Sequence, residues 1–101
     1  MVVISKGMIH EFAKKNAMSK IPLNNWYAKA TIADWKKYSD LKNTFGSADA
    51  IGNNRFIFNV GGNNYRIVAL IHFSIRTIFI RAILTHSEYN FLLKDSKLNI
   101  L

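Results

Sequence analysis

The first part of the chain places apolar residues with the period of an α-helix. Met8, Ile9 and Phe12 fall on one helical face, and Ser5 stands where an N-cap is expected. A second helix is predicted to begin near Pro22, because proline suits the first helical turn. Its apolar stripe comprises Leu23, Trp26, Tyr27 and Ala30. We therefore predict two helices that pack their apolar faces on a sheet.

After Phe45 the pattern changes to short runs rich in β-branched and aromatic residues. The runs are Arg55–Val60, Tyr65–Phe73 and Thr77–Leu84, with a weaker fourth at Ala48–Ile51. Segments rich in glycine and asparagine separate them, and such short turns make neighbouring strands antiparallel. The chain is therefore predicted to be an α+β protein, with two N-terminal helices packed on a three- to four-stranded antiparallel sheet and a short C-terminal helix.

The turns also predict the register of the strands. A turn at Gly62 and Asn63 pairs Val60 with Tyr65, and by alternation Phe58 with Ile67 and Phe56 with Ala69. A turn at Ser74 and Ile75 gives the pairs of the next hairpin, which are Ile71 with Ile78, Ala69 with Ile80 and Ile67 with Ala82. All of these residues share one face, which we assign to the core beneath the helices.

The opposite face is expected to be open and to carry two arginines. In the predicted register Arg66 lies opposite Ile83 and Arg81 lies opposite Val68, so the guanidinium groups are diagonal neighbours. Two such groups repel each other unless an anion lies between them, which favours an anion site. Each arginine could instead pair with a carboxylate, of which Glu88 is the nearest candidate, and a register slip would place the arginines on different faces.

The segment after the last strand predicts a helix that begins with chemically useful groups. Thr85 and Glu88 have the spacing of a capping box, which would bind both side chains in a structural role. His86 would be the first helical residue, and Tyr89 would lie on the same face one turn later. A helix N-terminus favours anions, so this segment is a candidate site for a phosphate and for proton transfer by the histidine.

The composition of the chain indicates a polyanionic partner. The chain has 101 residues, which fits a single domain over residues 1–101, and half of them are hydrophobic. Fourteen Lys and Arg against six Asp and Glu give a net charge of +8, which favours nucleic acid or another polyanion. Cysteine is absent, and the three histidines lack metal-ligand spacing, so neither a metal nor another cofactor is expected. No apolar run is long enough for a membrane span, and we expect a cytoplasmic protein.

Several segments of the chain resemble a known family. The longest is 52–68, GNNRFIFNVGGNNYRIV, and further segments are 3–5 (VIS), 33–35 (ADW), 45–49 (FGSAD), 79–81 (FIR) and 85–89 (THSEY). In this order along nearly the whole chain, they resemble the HigB toxins of bacterial type II toxin–antitoxin systems. The sequence departs from the usual family pattern at Leu84, where many members have glycine, and at Asn90, where aspartate is common.

The resemblance implies a RelE-like fold and a messenger RNA interferase. Proteins of this family cleave messenger RNA, typically on the ribosome, and a HigA-type helix-turn-helix antitoxin neutralises them. Arg66 and Arg81 would stabilise the charge on the phosphate, and His86 and Tyr89 would transfer protons or hold the substrate, with Glu88 as the alternative base. The residues predicted to bind RNA are Arg55, Asn59, Lys36, Lys37 and Phe79.

Three other functions remain open at this stage. The first is an endoribonuclease that works without the ribosome. The second is a non-catalytic module that binds RNA or the ribosome, such as a toxin that has lost its activity. The third is a structural protein whose positive charge binds an acidic partner.

Overall fold

Five β-strands and four α-helices form the structure, a computed structural model that describes residues 1–101. The strands are β1 (Val2–Ile4), β2 (Asp49–Gly52), β3 (Arg55–Val60), β4 (Tyr65–His72) and β5 (Thr77–Thr85). The helices are α1 (Lys6–Lys15), α2 (Lys20–Ile32), α3 (Tyr38–Thr44) and α4 (His86–Lys94). Short 3-10 turns lie at Ala17–Ser19, Phe73–Ile75 and Leu98–Ile100. The predicted α+β class is confirmed.

The sheet is mixed and has one strand more than the upper end of the prediction. Its order is β1-β5-β4-β3-β2, and all neighbours are antiparallel except β1, which runs parallel to β5. Val3 pairs with Ile78, so β1 joins a strand that lies more than seventy positions away in the chain. Such a short strand with a distant partner leaves no alternating pattern that a sequence analysis can recognise. The fourth predicted strand is confirmed as β2.

The hairpin of β3 and β4 has the predicted register. The confirmed pairs are Val60 with Tyr65, Phe58 with Ile67, and Phe56 with Ala69. The turn between the strands contains Gly61 and Gly62, both with positive φ (63° and 66°), a backbone conformation that glycine adopts without strain. The sequence of this turn therefore fixes which side chains of both strands face the helices.

A β-bulge at Arg81 interrupts the pairing of β4 with β5. Ala69 still pairs with Ile80 as predicted, but the next pair is Val68 with Ala82. Arg81, which we predicted to lie opposite Val68, is the extra residue and has no cross-strand partner. The bulge therefore changes the face of every residue that follows it in β5.

The bulge places Ile83 in the core. Ile67 pairs with Ile83, so the predicted pair of Ile67 with Ala82 is wrong. Ile83 is only 9% exposed and belongs to the core cluster beneath α1 and α2, not to the opposite face. Arg66 lies opposite Leu84 instead of Ile83. The two arginines are therefore not the diagonal pair that the sequence suggested.

The main core lies between the sheet and the first two helices. Trp35 and Phe58 are almost completely buried and stack on each other, with ring centroids 6.2 Å apart. The apolar stripe of α2 faces this core through Leu23, Trp26 and Ala30. The predicted packing of the helices on the sheet is confirmed.

The second face of the sheet is covered, so the prediction of an open face is wrong. Ile57, Val68 and Leu84 form a second core with Leu98 of the C-terminal turn. Further apolar side chains pack around it, namely Ile51, Ala82, Tyr89, Leu92 and Leu101. Because β3, β4 and β5 carry apolar residues on both faces, burial of the second face is favourable, and α4 with the C-terminal turn provides it.

The helix ends differ slightly from the prediction. Ser5 precedes α1, but it has φ 76° and its side chain makes no capping hydrogen bond. The second helix begins at Lys20, so Pro22 is its third residue and still lies in the first turn. The longest helix, α2, has 13 residues, and none of the helices combines the length and hydrophobicity needed to cross a bilayer.

Candidate active site

The side chains of Arg66 and His86 meet at one main-chain oxygen at the turn between β3 and β4. The oxygen of Asn63 accepts a hydrogen bond from Nη1 of Arg66 at 2.8 Å. It also lies 3.1 Å from Nδ1 of His86. Arg66 donates a second bond from Nη1 to the oxygen of Tyr65 at 3.2 Å. Arg66 and His86 are 20 residues apart in the sequence, and the fold brings their donor groups to the same point.

The antiparallel pairing of β4 and β5 explains this meeting. Tyr65, the first residue of β4, pairs with Thr85, the last residue of β5. The helix α4 begins directly after Thr85, so its first residue, His86, lies beside the turn that precedes β4. The site therefore combines one strand, one hairpin turn and the N-terminus of one helix.

Arg66 is held rigidly without a carboxylate partner. Its side chain is 7% exposed, and Cζ lies 4.6 Å from the centre of the Tyr89 ring, within the range of a cation–π contact. The alternative that Glu88 pairs with an arginine is wrong, because the ion pairs of the structure are Lys14 with Glu11 and Arg76 with Asp34. The positive charge of Arg66 therefore has no neutralising partner in the protein.

Part of the Arg66 guanidinium remains available to a ligand. Both hydrogen bonds within the protein use Nη1, so the N–H groups on Nε and Nη2 have no protein acceptor. Both nitrogen atoms keep some exposure to solvent. These N–H groups can donate to an anion that binds beside the turn, in the geometry that suits a phosphate.

The Asn63 oxygen also determines the tautomer of His86. A carbonyl oxygen can only accept a hydrogen bond, so Nδ1 of His86 must carry the proton. In the neutral ring Nε2 is then unprotonated and can accept a proton. The His86 side chain is exposed, so this nitrogen is accessible from solvent. The arrangement is suited to a general base.

Thr85 and Glu88 form the predicted capping box. The Thr85 N–H donates to Glu88 Oε1 at 2.9 Å, and the Glu88 N–H donates to Thr85 Oγ1 at 3.3 Å. The carboxylate is therefore occupied at the N-terminus of α4, which confirms its predicted structural role. Its main effect on the site is to fix the start of α4, and with it the position of His86.

Arg81 and Phe79 lie away from this cluster. Arg81 is three residues from Leu84, the partner of Arg66, which corresponds to about 10 Å along the strand. Its Nε donates to a main-chain oxygen of Leu101. Phe79 is half-buried and makes an edge contact with the ring of His72, with centroids 5.8 Å apart.

The other predicted RNA-binding residues are distributed over several parts of the molecule. Asn59 joins the cluster through its Nδ2, which lies 3.4 Å from Oδ1 of Asn63. Arg55 lies at the opposite end of β3, where Nη1 donates to the oxygen of Asn53 at 2.9 Å and Nε is buried without a partner. Lys36 and Lys37 are exposed between α2 and α3, in the helical layer. The structure therefore groups Asn59 with Arg66, His86 and Tyr89, and separates the other residues from them.

Asn63 is the part of the site that the sequence did not indicate. The sequence indicates only a turn residue at this position, whereas in the structure its main-chain oxygen binds the side chains of both Arg66 and His86. Every residue has such an oxygen, so no residue type could have signalled this role. Only the predicted proximity of the turn to the start of α4 would have indicated it.

Comparison with known proteins agrees with the resemblance seen in the sequence. The family model for HigB toxins, described as the RelE-like toxic component of a toxin–antitoxin system, matches residues 19–92. The chain is 37% identical over 91 residues to the mRNA interferase toxin HigB of Escherichia coli (strain K12), covering 83% of this chain and 88% of the relative. It is 29% identical over 92 residues to the mRNA interferase HigB of Escherichia coli O6:H1, covering 89% of each chain.

Proposed function

The chain belongs to the HigB family of RelE-like toxins, and on this premise we propose that it is an endoribonuclease that cleaves messenger RNA. The single observation that carries the assignment of the site is the meeting of Arg66 and His86 at the Asn63 oxygen. That oxygen accepts a hydrogen bond from each side chain, so the arginine and the histidine lie side by side at the place where we propose that the phosphate binds. Messenger RNA as the substrate implies that the enzyme acts in the cytoplasm.

Cleavage of RNA can proceed without a metal because the ribose 2′-OH is an internal nucleophile. The 2′-oxygen attacks the adjacent phosphorus while its proton passes to a base. The bond from phosphorus to the 5′-oxygen then breaks, and the leaving oxygen takes up a proton. The protein must align these groups and stabilise the additional negative charge on the phosphate.

We assign the stabilisation of charge chiefly to Arg66. Its free N–H groups on Nε and Nη2 can donate to the non-bridging phosphate oxygens, while Tyr89 and the turn hold the guanidinium plane. The N-terminus of α4 adds further N–H groups and a partial positive charge at the same place. Because Arg66 is almost completely buried, its position changes little when the substrate binds, and the site is preorganised.

His86 is the proposed general base, acting through Nε2 on the 2′-OH. Tyr89 is the proposed support of Arg66 through the contact of its ring with the guanidinium group, and its hydroxyl is the proposed acid that protonates the leaving 5′-oxygen. Glu88 contributes by fixing the start of α4. Arg81, together with Arg55, Phe79, Lys36 and Lys37, is proposed to contact RNA outside the reacting nucleotide.

The partners follow from the family. We propose a HigA-type helix-turn-helix antitoxin as the protein that neutralises this toxin, and the translating ribosome as the place where it meets messenger RNA. Cuts that respect the reading frame would support dependence on the ribosome. Cuts in free RNA by the purified protein would instead indicate an enzyme that needs no ribosome.

The decisive experiment maps the 5′ ends of cellular messenger RNA after brief induction. We expect new cuts inside translated regions with the wild type, and a decrease of about 100-fold or more with Arg66→Ala or His86→Gln. Lys94→Ala is the matched control, because it removes an exposed cation at the other end of α4. Arg81→Ala tests whether the second arginine shares the stabilisation of charge.

Unchanged cleavage by a folded Arg66→Ala protein would refute the assignment of charge stabilisation. Growth arrest without cuts would instead favour the second candidate, a module that binds RNA or the ribosome without cleaving it. One observation favours that candidate. Leu84, at a position where many family members have glycine, is buried in the second core directly opposite Arg66 and makes this side of the site more apolar.

A further inference from the structure

A second concentration of positive charge lies in the helical layer. Residues 1–45 contain eight lysines against three carboxylates, Glu11, Asp34 and Asp40. Each carboxylate already has a partner: Glu11 pairs with Lys14, Asp34 pairs with Arg76, and Asp40 accepts the main-chain N–H of Lys36. The remaining lysines of this layer are therefore without neutralising partners.

Some of these cations line a groove between α1 and α2, which we call the basic groove. Its residues are Lys6, Ile9, His10 and Ala13 of α1, and Lys20 and Asn24 of α2. It encloses a volume of about 260 Å³, and no carboxylate lines it. Ile9 and Ala13 are its more buried residues, whereas the polar side chains are exposed. A concave surface with cations above an apolar floor suits a ligand that carries negative charge along an extended chain.

The groove has a defined length and direction. Lys6 lies at one end, where its Nζ is 4.7 Å from the centre of the Tyr27 ring. Lys20 precedes Tyr27 by seven residues in α2, so the two lysines are about 10 Å apart along the helix axis. This distance corresponds to roughly three nucleotide steps of a stacked strand. Each lysine can therefore contact a different phosphate of the same strand.

The Lys20 end of the groove is connected to the candidate active site through Pro22. Pro22 follows Lys20 in the first turn of α2 and packs against Gly61, the first residue of the hairpin turn. The same turn supplies the Asn63 oxygen that binds Arg66. The N-terminus of α2, where Lys20 lies, is therefore next to the hairpin turn of the candidate active site.

We propose that the basic groove binds the phosphodiester backbone of the single-stranded RNA substrate, outside the nucleotides that react. The proposal depends on the proposed function only in taking RNA as the ligand. The groove makes no contact with the reacting phosphate, so it contributes affinity and positioning. Lys6 and Lys20 supply the two phosphate contacts, and the amide of Asn24 and the ring of His10 lie between them.

The test measures binding of a single-stranded 2′-O-methyl RNA of about 12 nucleotides, which the enzyme cannot cleave because it lacks the 2′-OH. The Kd is determined at several salt concentrations for the wild type and for the Lys6→Gln/Lys20→Gln double variant. Loss of two phosphate contacts should raise Kd roughly 20-fold at 0.1 M salt. It should also reduce the slope of log Kd against log salt by about 1.4.

Two further double variants make the test specific. Lys94→Gln/Lys97→Gln removes the same charge at exposed sites outside the groove, and it should change Kd less than twofold. Lys6→Arg/Lys20→Arg keeps the charge, and it should bind as the wild type does. Thermal melting of all the proteins checks that they are folded, since Lys6→Gln also removes the contact with Tyr27.

Equal weakening by the groove variant and by its control would overturn the proposal, because net charge alone would then explain binding. An effect seen only with a base-paired RNA hairpin would overturn it too, and would assign the groove to structured RNA such as that of the ribosome. Failure of the proposed function gives a different pattern, in which the wild type cleaves no RNA although the groove variant still loses affinity for the 2′-O-methyl strand.

Discussion

Leu98 provides the sharpest test of the second core. It is 4% exposed and packs with Ile57, Val68 and Leu84 on the face of the sheet that the sequence suggested was open. Leu98→Ala removes three carbon atoms from this core, which costs about 2.5 kcal/mol at ~0.8 kcal/mol each. We expect a value near the lower end of the range for buried leucines, because the short C-terminal turn can shift to fill part of the cavity.

For a domain of this size, a loss of about 2.5 kcal/mol lowers Tm by roughly 10–15 °C. The measurement is thermal or urea unfolding followed by circular dichroism. Leu93→Ala is the matched control, since Leu93 belongs to the same C-terminal region but is 51% exposed. The Leu93→Ala variant should lose less than about 0.5 kcal/mol of its free energy of unfolding. If the two variants melted within about 3 °C of each other, the C-terminal turn would not be packed on the sheet, and the description of the second core would be refuted.

Further predictions concern the ends of elements and one ion pair. Thr85→Ala breaks the capping box and should cost about 1 kcal/mol in urea unfolding, with lower cleavage because the start of α4 is less ordered. Gly61→Ala should destabilise by more than about 1 kcal/mol, because its φ is 63° and a Cβ would lie 3.2 Å from the Tyr65 ring. Gly62→Ala, with φ 66° and open space, should cost less. The hydrogen bond from Arg76 lowers the pKa of Asp34 below its usual 3.8. The wild type should therefore have a higher free energy of unfolding than Asp34→Asn at neutral pH, and this difference should disappear as the pH falls through the lowered pKa.

The hairpin of β3 and β4 could be predicted in detail because its information is local. The turn residues and the alternation of Phe56, Phe58 and Val60 specify both the turn and the face that is buried. The capping box of α4 was predictable for the same reason, since Thr85 and Glu88 are three residues apart. Short distances along the chain therefore account for the predictions that the structure confirms.

The bulge and the covered face could not be derived in the same way, because neither follows from a local pattern. The apolar residues Ile80 and Ile83 are three positions apart, and this spacing is a weak sign of an extra residue in the strand. The second core depends on Leu98, which lies in a segment without periodicity, so its partner on the sheet is set only by the tertiary structure. Of the predicted site residues, Arg66, His86 and Tyr89 lie together in the structure, whereas Arg81 lies apart from them because of the bulge.

The bulge has a consequence for how this chain can change in length during evolution. In a regular ladder, loss of one residue turns every later side chain to the other face of the sheet. In β5, removal of Arg81 would instead leave the pairs on both sides in place, since Ile80 and Ala82 already have partners in β4. Relatives that are one residue shorter at this point can therefore keep Ile83 in the core and the start of α4 beside the hairpin turn. Arg81 is therefore the residue of β5 whose removal would keep the pairs on both sides of it and the position of the candidate active site.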